Sequence, residues 1–371
     1  MSKTHNATVH PASAAPLHQI DLALQGGGSH GAFTWGVLDR LLEDETIEIA
    51  AISGTSAGAM NAVALAAGLM DGGREGARRV LRQFWKRVAE LSPFHRIQSS
   101  PLGALFGPSN PWLAPWLELM QQASSQAGGL LSPYQFNPLN LNPLRQVLMD
   151  TVDFDRVRHC HKSQLFIAAT QVSTGALRIF RQHELNADVV LASACLPLLF
   201  QAVKIDGEAY WDGGYAGNPS LRPLITDSPA DDLLLVQINP IERRDVPTSA
   251  RDILDRINEV TFNASLLKEI RTIALLKQVI EDEGCPGHHD RQPLFQRLQS
   301  LRVHLLDGNA SLAPLGASSK SNTQWSFLSQ LHKLGRDAAD RWLAQHGQDL
   351  GQRSSFDFSQ MSAPESALPS T

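Results

Sequence analysis

Ser56 stands in Gly54-Thr55-Ser56-Ala57-Gly58, between the apolar run "IEIAAIS" and a stretch of small, helix-compatible residues. A serine hydroxyl is a poor nucleophile unless a base takes its proton. Gly-x-Ser-x-Gly at a strand-to-helix junction is the pattern of a nucleophile elbow. The backbone must turn sharply there, and Gly54 and Gly58 remove bulk on either side of the serine. A helix starting at the turn would aim its free N–H groups and its positive dipole end at the serine oxygen. The same residues also fit a plain helix N-cap in a tight turn.

A second motif, "GGGSHG" at 26–31, follows the apolar strand "QIDLALQ" and precedes a helical pattern. A phosphate-binding P-loop would end in Gly-Lys-Ser/Thr, but Gly31 is followed by Ala32 and Phe33. A dinucleotide fold would place an acid at the end of the next strand, where this chain has Ile52-Ser53-Gly54. An oxyanion hole remains: the N–H groups of Gly26, Gly27 and Gly28 would face the negative oxygen formed when Ser56 attacks a carbonyl. A tight turn without a ligand is the alternative.

The proton acceptor is harder to find among the 13 histidines. His288 and His289 sit in the polar stretch "GCPGHHDRQP". His304 falls in the strand-like "LRVHLL" and reads as half-buried. His332 and His346 read as surface residues of a helix. None follows a strand in a glycine-flanked turn, the setting that presents a base. His159 and His161 lack the carboxylate or cysteine pattern that would complete a metal site. Asp212 follows "EAYW" and precedes Gly213 and Gly214, which leave its carboxylate accessible. An ordinary turn aspartate, as at Asp206, fits equally well.

These residues need a scaffold, and its pattern is strand–helix–strand–helix with short connections. That predicts a parallel sheet covered by helices. Phe33, Val37, Leu38, Leu41 and Leu42 recur at helical spacing, and 74–90 reads as an amphipathic helix. Prolines crowd 92–143, which reads as an insertion or lid. "SQLFIAATQV" and "TGALRIF" predict a strand pair turning at Thr174-Gly175. "VKIDGEAYWDGG" predicts a hairpin turning at Asp206-Gly207. "DLLLVQINP" reads as a buried strand, and 250–282 and 323–346 as long helices.

The chain has 371 residues, 43% apolar and 19% charged, with a net charge of −5. That suits a globular enzyme-sized core and argues against a nucleic-acid partner, which selects a basic face. Cys160, Cys195 and Cys285 form no disulfide framework or CxxC pair. The N-terminal residues lack the apolar core of a secretory signal, and no apolar run reaches the length of a membrane span. A cytoplasmic protein is expected, with reversible contact to a membrane surface through the apolar Trp112, Leu113, Trp116 and Leu117.

Taken together, "GGGSHG" (26–31), "GTSAG" (54–58) and "DGG" (212–214), in that order, resemble the patatin-like phospholipase family. "IAATQVSTGALRIF" is similar to its central strand pair. "LASACLPLLFQAVKIDGEAYWDGGYAGNP" is similar to the block leading to its aspartate. The resemblance covers about residues 19–240. It implies an α/β, three-layer fold with a parallel-rich central sheet flanked by helices. It implies a Ser56–Asp212 dyad without histidine, an oxyanion loop at Gly26–Gly28, and no cofactor or metal. It implies hydrolysis of lipid carboxylic esters through an acyl-enzyme. A soluble esterase or thioesterase and a non-catalytic lipid-binding scaffold are the alternatives. One departure is His30, where the family carries Arg or Lys; its charge would titrate near pH 6.5. The expected boundaries are a flexible arm over 1–18, the catalytic domain over 19–240, a helical C-terminal extension over 241–350 packed on the core, and a disordered tail over 351–371.

Overall fold

Successive side chains of the first strand leave on opposite sides of the sheet, and both sides are covered. In β1 (His18–Leu24), Ile20, Leu22 and Leu24 enter one hydrophobic core while Ala23 enters a second. A strand buried on both faces reads as a near-continuous apolar run, as "IDLAL" does. A computed structural model of the chain describes residues 17–91, 132–243, 246–283 and 293–357. Its sheet also contains β2 (Ile47–Gly54), β3 (Gln164–Gln171), β4 (Leu177–Arg181), β5 (Val203–Ile205), β6 (Glu208–Asp212), β7 (Asp232–Gln237) and β8 (Arg302–Asp307). The order is β5-β6-β3-β2-β1-β7-β8, with β4 also paired to β3. β3, β2, β1, β7 and β8 run parallel, while β4, β5 and β6 join by antiparallel pairing. The expected α/β sandwich is therefore observed, including the hairpins at Thr174-Gly175 and Asp206-Gly207.

One face of the sheet carries the helices Gly31–Leu41, Ala57–Glu90 and Trp325–His346. The second of these bends where Gly72 and Gly73 leave helical geometry, so the expected helix over 74–90 is its outer half. The other face carries Arg222–Asp227, Ala250–Glu283 and Pro293–Ser300. No helix among the described residues is long and apolar enough to cross a membrane.

The C-terminal part is woven into the sheet. β8 pairs in parallel with β7, from Asp232↔Arg302 to Gln237↔Asp307. The helix Trp325–His346 crosses Gly31–Leu41 where two glycines let the backbones touch. A Cβ on Gly36 would lie 2.0 Å from the His332 carbonyl oxygen, and one on Gly335 would lie 2.0 Å from that of Phe33. Any side chain at either position would force the helices apart. His332 stacks on Trp35 at 3.9 Å between ring centroids and pairs with Asp39, so it is no free surface residue as expected.

Two further expectations change. His304 is fully buried, because Asp232 and Ser355 bond both of its ring nitrogens at 2.9 Å. The chain also stays on the sheet past Gly351: Val303 N–H donates to Ser354 Oγ, and Phe356 N–H to the Val303 carbonyl. The predicted lid residues Trp112, Leu113, Trp116 and Leu117, together with His288, His289 and Cys285, lie outside the described residues.

Candidate active site

β2 ends at Gly54, the helix Ala57–Glu90 begins at Ala57, and Ser56 turns the chain between them. Its backbone sits at φ 54°, ψ −117°. A non-glycine residue there is strained and needs its surroundings to hold it. Two contacts do so. Ser56 N–H donates to Ser193 Oγ at 2.8 Å. Gly58 lies so close to β1 that a Cβ would come within 2.2 Å of the Leu24 carbonyl oxygen. Gly54 packs against the Gly58 backbone, and Gly31 against Ala57, so both support the same turn.

The strand register brings Asp212 to the serine. β3 pairs with β2 from Ala51↔Gln164 to Gly54↔Ile167. β4 takes the other edge of β3. Just beyond the end of β2, Ala169, Thr170 and Gln171 pair with Asp212, Trp211 and Tyr210 of β6. Ala169 and Thr170 already use their other edge for β4, so β6 continues in the lane that β2 leaves at the elbow. The last residue of β6 therefore lies beside the turn that presents the serine. Gly213 is required there, since a Cβ would lie 2.3 Å from the Ala168 carbonyl oxygen.

The Asp212 carboxylate is 1% exposed and lines the same cavity as Ser56, whose side chain lowers its pKa. Gly214 N–H donates to its Oδ1 at 2.7 Å. Burial pushes its pKa up to about 7, against the lowering effects of the Gly214 N–H and the Ser56 side chain. A carboxylate so placed is a far better proton acceptor near neutral pH than one in water. Cys195 is no rival nucleophile. Burial pushes its thiol up to about 11, and it bonds the Gln201 carbonyl at 3.2 Å.

The glycine loop is braced by buried amides. Gln25 Oε1 accepts from the N–H groups of Ile238 and Asn239, and Gln25 Nε2 donates to Asn263 Oδ1. Gly26 N–H donates to Asn218 Oδ1 at 2.6 Å. That bond removes Gly26 from the expected set of three oxyanion donors. Its place is steric instead: a Cβ would lie 2.7 Å from Ser56 Cβ. Gly27 and Gly28 line the same cavity as Ser56 and Asp212, and their N–H groups have no partner among the described residues.

His30 also departs from expectation. It is 1% exposed and its Nε2 shares a hydrogen bond with Ser319 Oγ at 2.7 Å. Burial, then the nearby charge of Lys320, lowers its pKa to about 4. It is neutral at physiological pH, so it supplies no titrating charge near pH 6.5. His304 is remote from the site. It bonds Asp232, the first residue of β7, whereas Ser56 follows the last residue of β2.

The cavity over Ser56 measures about 390 Å³. Met60, Phe84, Trp85 and Val88 of the elbow helix form part of its wall, with Leu196, Leu199 and Phe200 opposite and Phe262 from Ala250–Glu283. An apolar cleft with a few convergent polar groups is the usual form of a small-molecule site. Ser193, Asn218, Asn239 and Lys320 escaped the sequence reading. Ser193 and Asn218 lie within quoted blocks, but no spacing rule links them to positions more than a hundred residues away.

No curated protein matches the chain. Among solved structures, VipD from Legionella pneumophila is similar at 16% identity with a TM-score of 0.42, over 90% of this chain and 68% of that one. The patatin-like phospholipase sequence profile matches residues 22–225, which span the glycine loop, the elbow and Asp212. The chain therefore belongs to the patatin-like phospholipase family, a family of lipid acyl hydrolases.

Proposed function

We propose that the protein cleaves carboxylic esters of lipids through a Ser56–Asp212 dyad and an acyl-enzyme. The observation that carries this reading is that Ser56 shares an apolar cavity with Asp212, a buried carboxylate of raised pKa. Ser56 Oγ attacks the ester carbonyl carbon as its proton passes to Asp212. The carbonyl oxygen becomes negative and is met by the N–H groups of Gly27 and Gly28, with the N-terminus of Ala57–Glu90 close by. Collapse expels the alcohol, which takes the proton from Asp212. Water then repeats the sequence on the acyl-enzyme, releasing the fatty acid and returning the proton to Ser56.

The apolar cavity wall suits an acyl chain. Leu198 is 67% exposed beside Leu199 and Phe200, so an apolar edge borders the cavity. Such an edge supports reversible contact with a lipid surface. Hydrolysis of phospholipids, glycerides, short esters and acyl-CoA by purified protein tests the substrate class. Vesicle co-sedimentation tests the surface contact. Labelling by a fluorophosphonate tests the nucleophile. Wild type should label at Ser56, and Ser56→Ala should neither label nor hydrolyse. Retention of more than about a third of the rate in Ser56→Ala overturns the dyad.

A further inference from the structure

The glycine loop carries no cation of its own, because His30 is buried and neutral. A cation reaches it from the distant turn Ala317–Ser321, outside the residues matched by the family profile. Lys320 lines the same cavity as Ser56 and Asp212. Its Nζ donates to Asn239 Oδ1 at 2.8 Å. Asn239 Nδ2 in turn donates to the Gly26 carbonyl at 2.7 Å. The carbonyl of Gly26 and the N–H of Gly27 belong to one peptide group. Drawing electron density toward that carbonyl makes the N–H at its other end a stronger donor. Hydrogen bonds in series polarise one another, by roughly 10–30% per bond.

The same turn also fixes the loop sterically. A Cβ on Gly28 would lie 2.5 Å from the Lys320 carbonyl oxygen, and Ser319 Oγ holds His30. Gly28 needs its positive φ of 59° at that contact.

We propose that Lys320 is a positioning residue for the oxyanion loop, acting through Asn239 to polarise the Gly26–Gly27 peptide toward the oxygen that becomes negative. This rests on the hydrolase reading of Ser56. Lys320 is held by a neutral amide, and its charge is balanced from several sides. Glu259 and Asp255 of Ala250–Glu283 favour the charged form, while burial and Arg243 oppose it, and its pKa is lowered overall. His30, Asp212, Cys195 and Tyr215 are the other titratable groups near the loop and the cavity. His30 is already neutral, Asp212 is ionised above about pH 7, and burial pushes Cys195 up to about 11 and Tyr215 up to about 12, so a rate loss setting in below pH 10 belongs to Lys320.

The test compares wild type, Lys320→Met and Lys320→Arg. It measures the rate of Ser56 labelling by a fluorophosphonate, and kcat and KM on one ester, from pH 6 to 10. Labelling also builds negative charge on an oxygen in the hole, and it needs no knowledge of the substrate. Lys320→Met should slow labelling and kcat by about tenfold or more, with KM within about threefold, a smaller effect than deleting a donor outright. Lys320→Arg should restore most of the loss. The wild-type alkaline decline should be absent in Lys320→Met. Equal labelling rates in wild type and Lys320→Met overturn the proposal. So does an equal loss in both variants with the alkaline decline intact, which marks a merely structural role. Should Lys320→Met not fold, a wild-type rate that stays flat to pH 10 overturns it. A wild type that never labels overturns the hydrolase reading first, and this one with it.

Discussion

Ser193 Oγ accepts the backbone N–H of Ser56 at 2.8 Å, so a side chain from the helix Ala187–Ser193 holds the backbone of the proposed nucleophile. Ser56 adopts a conformation that serine does not favour alone. Ser193→Ala leaves that N–H unpaired in a buried turn, at a cost of about 1–3 kcal/mol. A lower melting temperature and a lower kcat are expected together. Thermal denaturation and a rate assay check this; no change in either shows that the elbow is held by something else.

Asp212→Asn keeps the shape of the side chain and removes its ability to accept a proton. Hydrolysis at pH 8 should fall by the roughly 10²–10⁴ associated with a positioned general base. Because burial pushes Asp212 up to about 7, wild-type kcat/KM should decline as pH drops through that value.

The same shift has an opposite sign for stability. The folded value lies above the ordinary 3.8, so folding favours the protonated carboxyl. Its contribution is whole below about pH 4 and is lost as pH rises through about 7. Asp212→Asn escapes that loss, so its melting temperature relative to wild type should rise between pH 4 and pH 8. A constant difference over this range would contradict a desolvated carboxylate. Asp21, also pushed up to about 7 by burial, adds the same trend to both proteins and cancels in the comparison.

His30→Lys places an ammonium in a buried position beside Lys320. Two like charges there should lower the melting temperature, and activity with it, since the loop must shift to separate them. His30→Gln should leave the pH profile between 6 and 8 unchanged, because histidine held near pKa 4 is already neutral there. A changed profile in His30→Gln would show that this imidazole titrates in the assay range.

His304→Gln should cost stability without touching the chemistry. It breaks a buried link between Asp232 of β7 and Ser355, at the edge of the sheet away from the elbow. Denaturation should begin earlier while kcat stays at the wild-type level. A loss of rate matching that of Ser56→Ala, with Asp212→Asn still active, would instead favour a Ser–acid–His triad.

The elbow, the glycine loop and the strand pattern were legible because each is local. Gly54 and Gly58 stand next to the serine they serve, and "IDLAL" is apolar because both faces of its strand are covered. Asp212 was not legible from its neighbours alone, since Asp206 also precedes a glycine in a hairpin. The difference is made by register: Asp212 falls opposite Ala169, where β2 has ended. Nor did the loop sequence reveal that Gly26 is occupied, because its partner Asn218 is 192 residues away. His30 misled for a related reason. Its titration is set by how completely other segments enclose it, and Ser319 and Lys320 belong to a part of the chain that read as an extension.

The crossing of Gly36 with Gly335 also has a consequence for biosynthesis. Ribosomes release a chain from its N-terminus at about 5–20 residues per second. Ser56 and Asp212 emerge long before the helix that covers Gly31–Leu41 and before the turn that grips Gly28. A nascent chain thus holds both members of the proposed dyad while one wall of its core is missing and its glycine loop is unbraced. Complete assembly waits for segments translated long after Asp212. A chain broken off before Lys320 would retain every motif by which the family is recognised, yet lack the contacts that organise them.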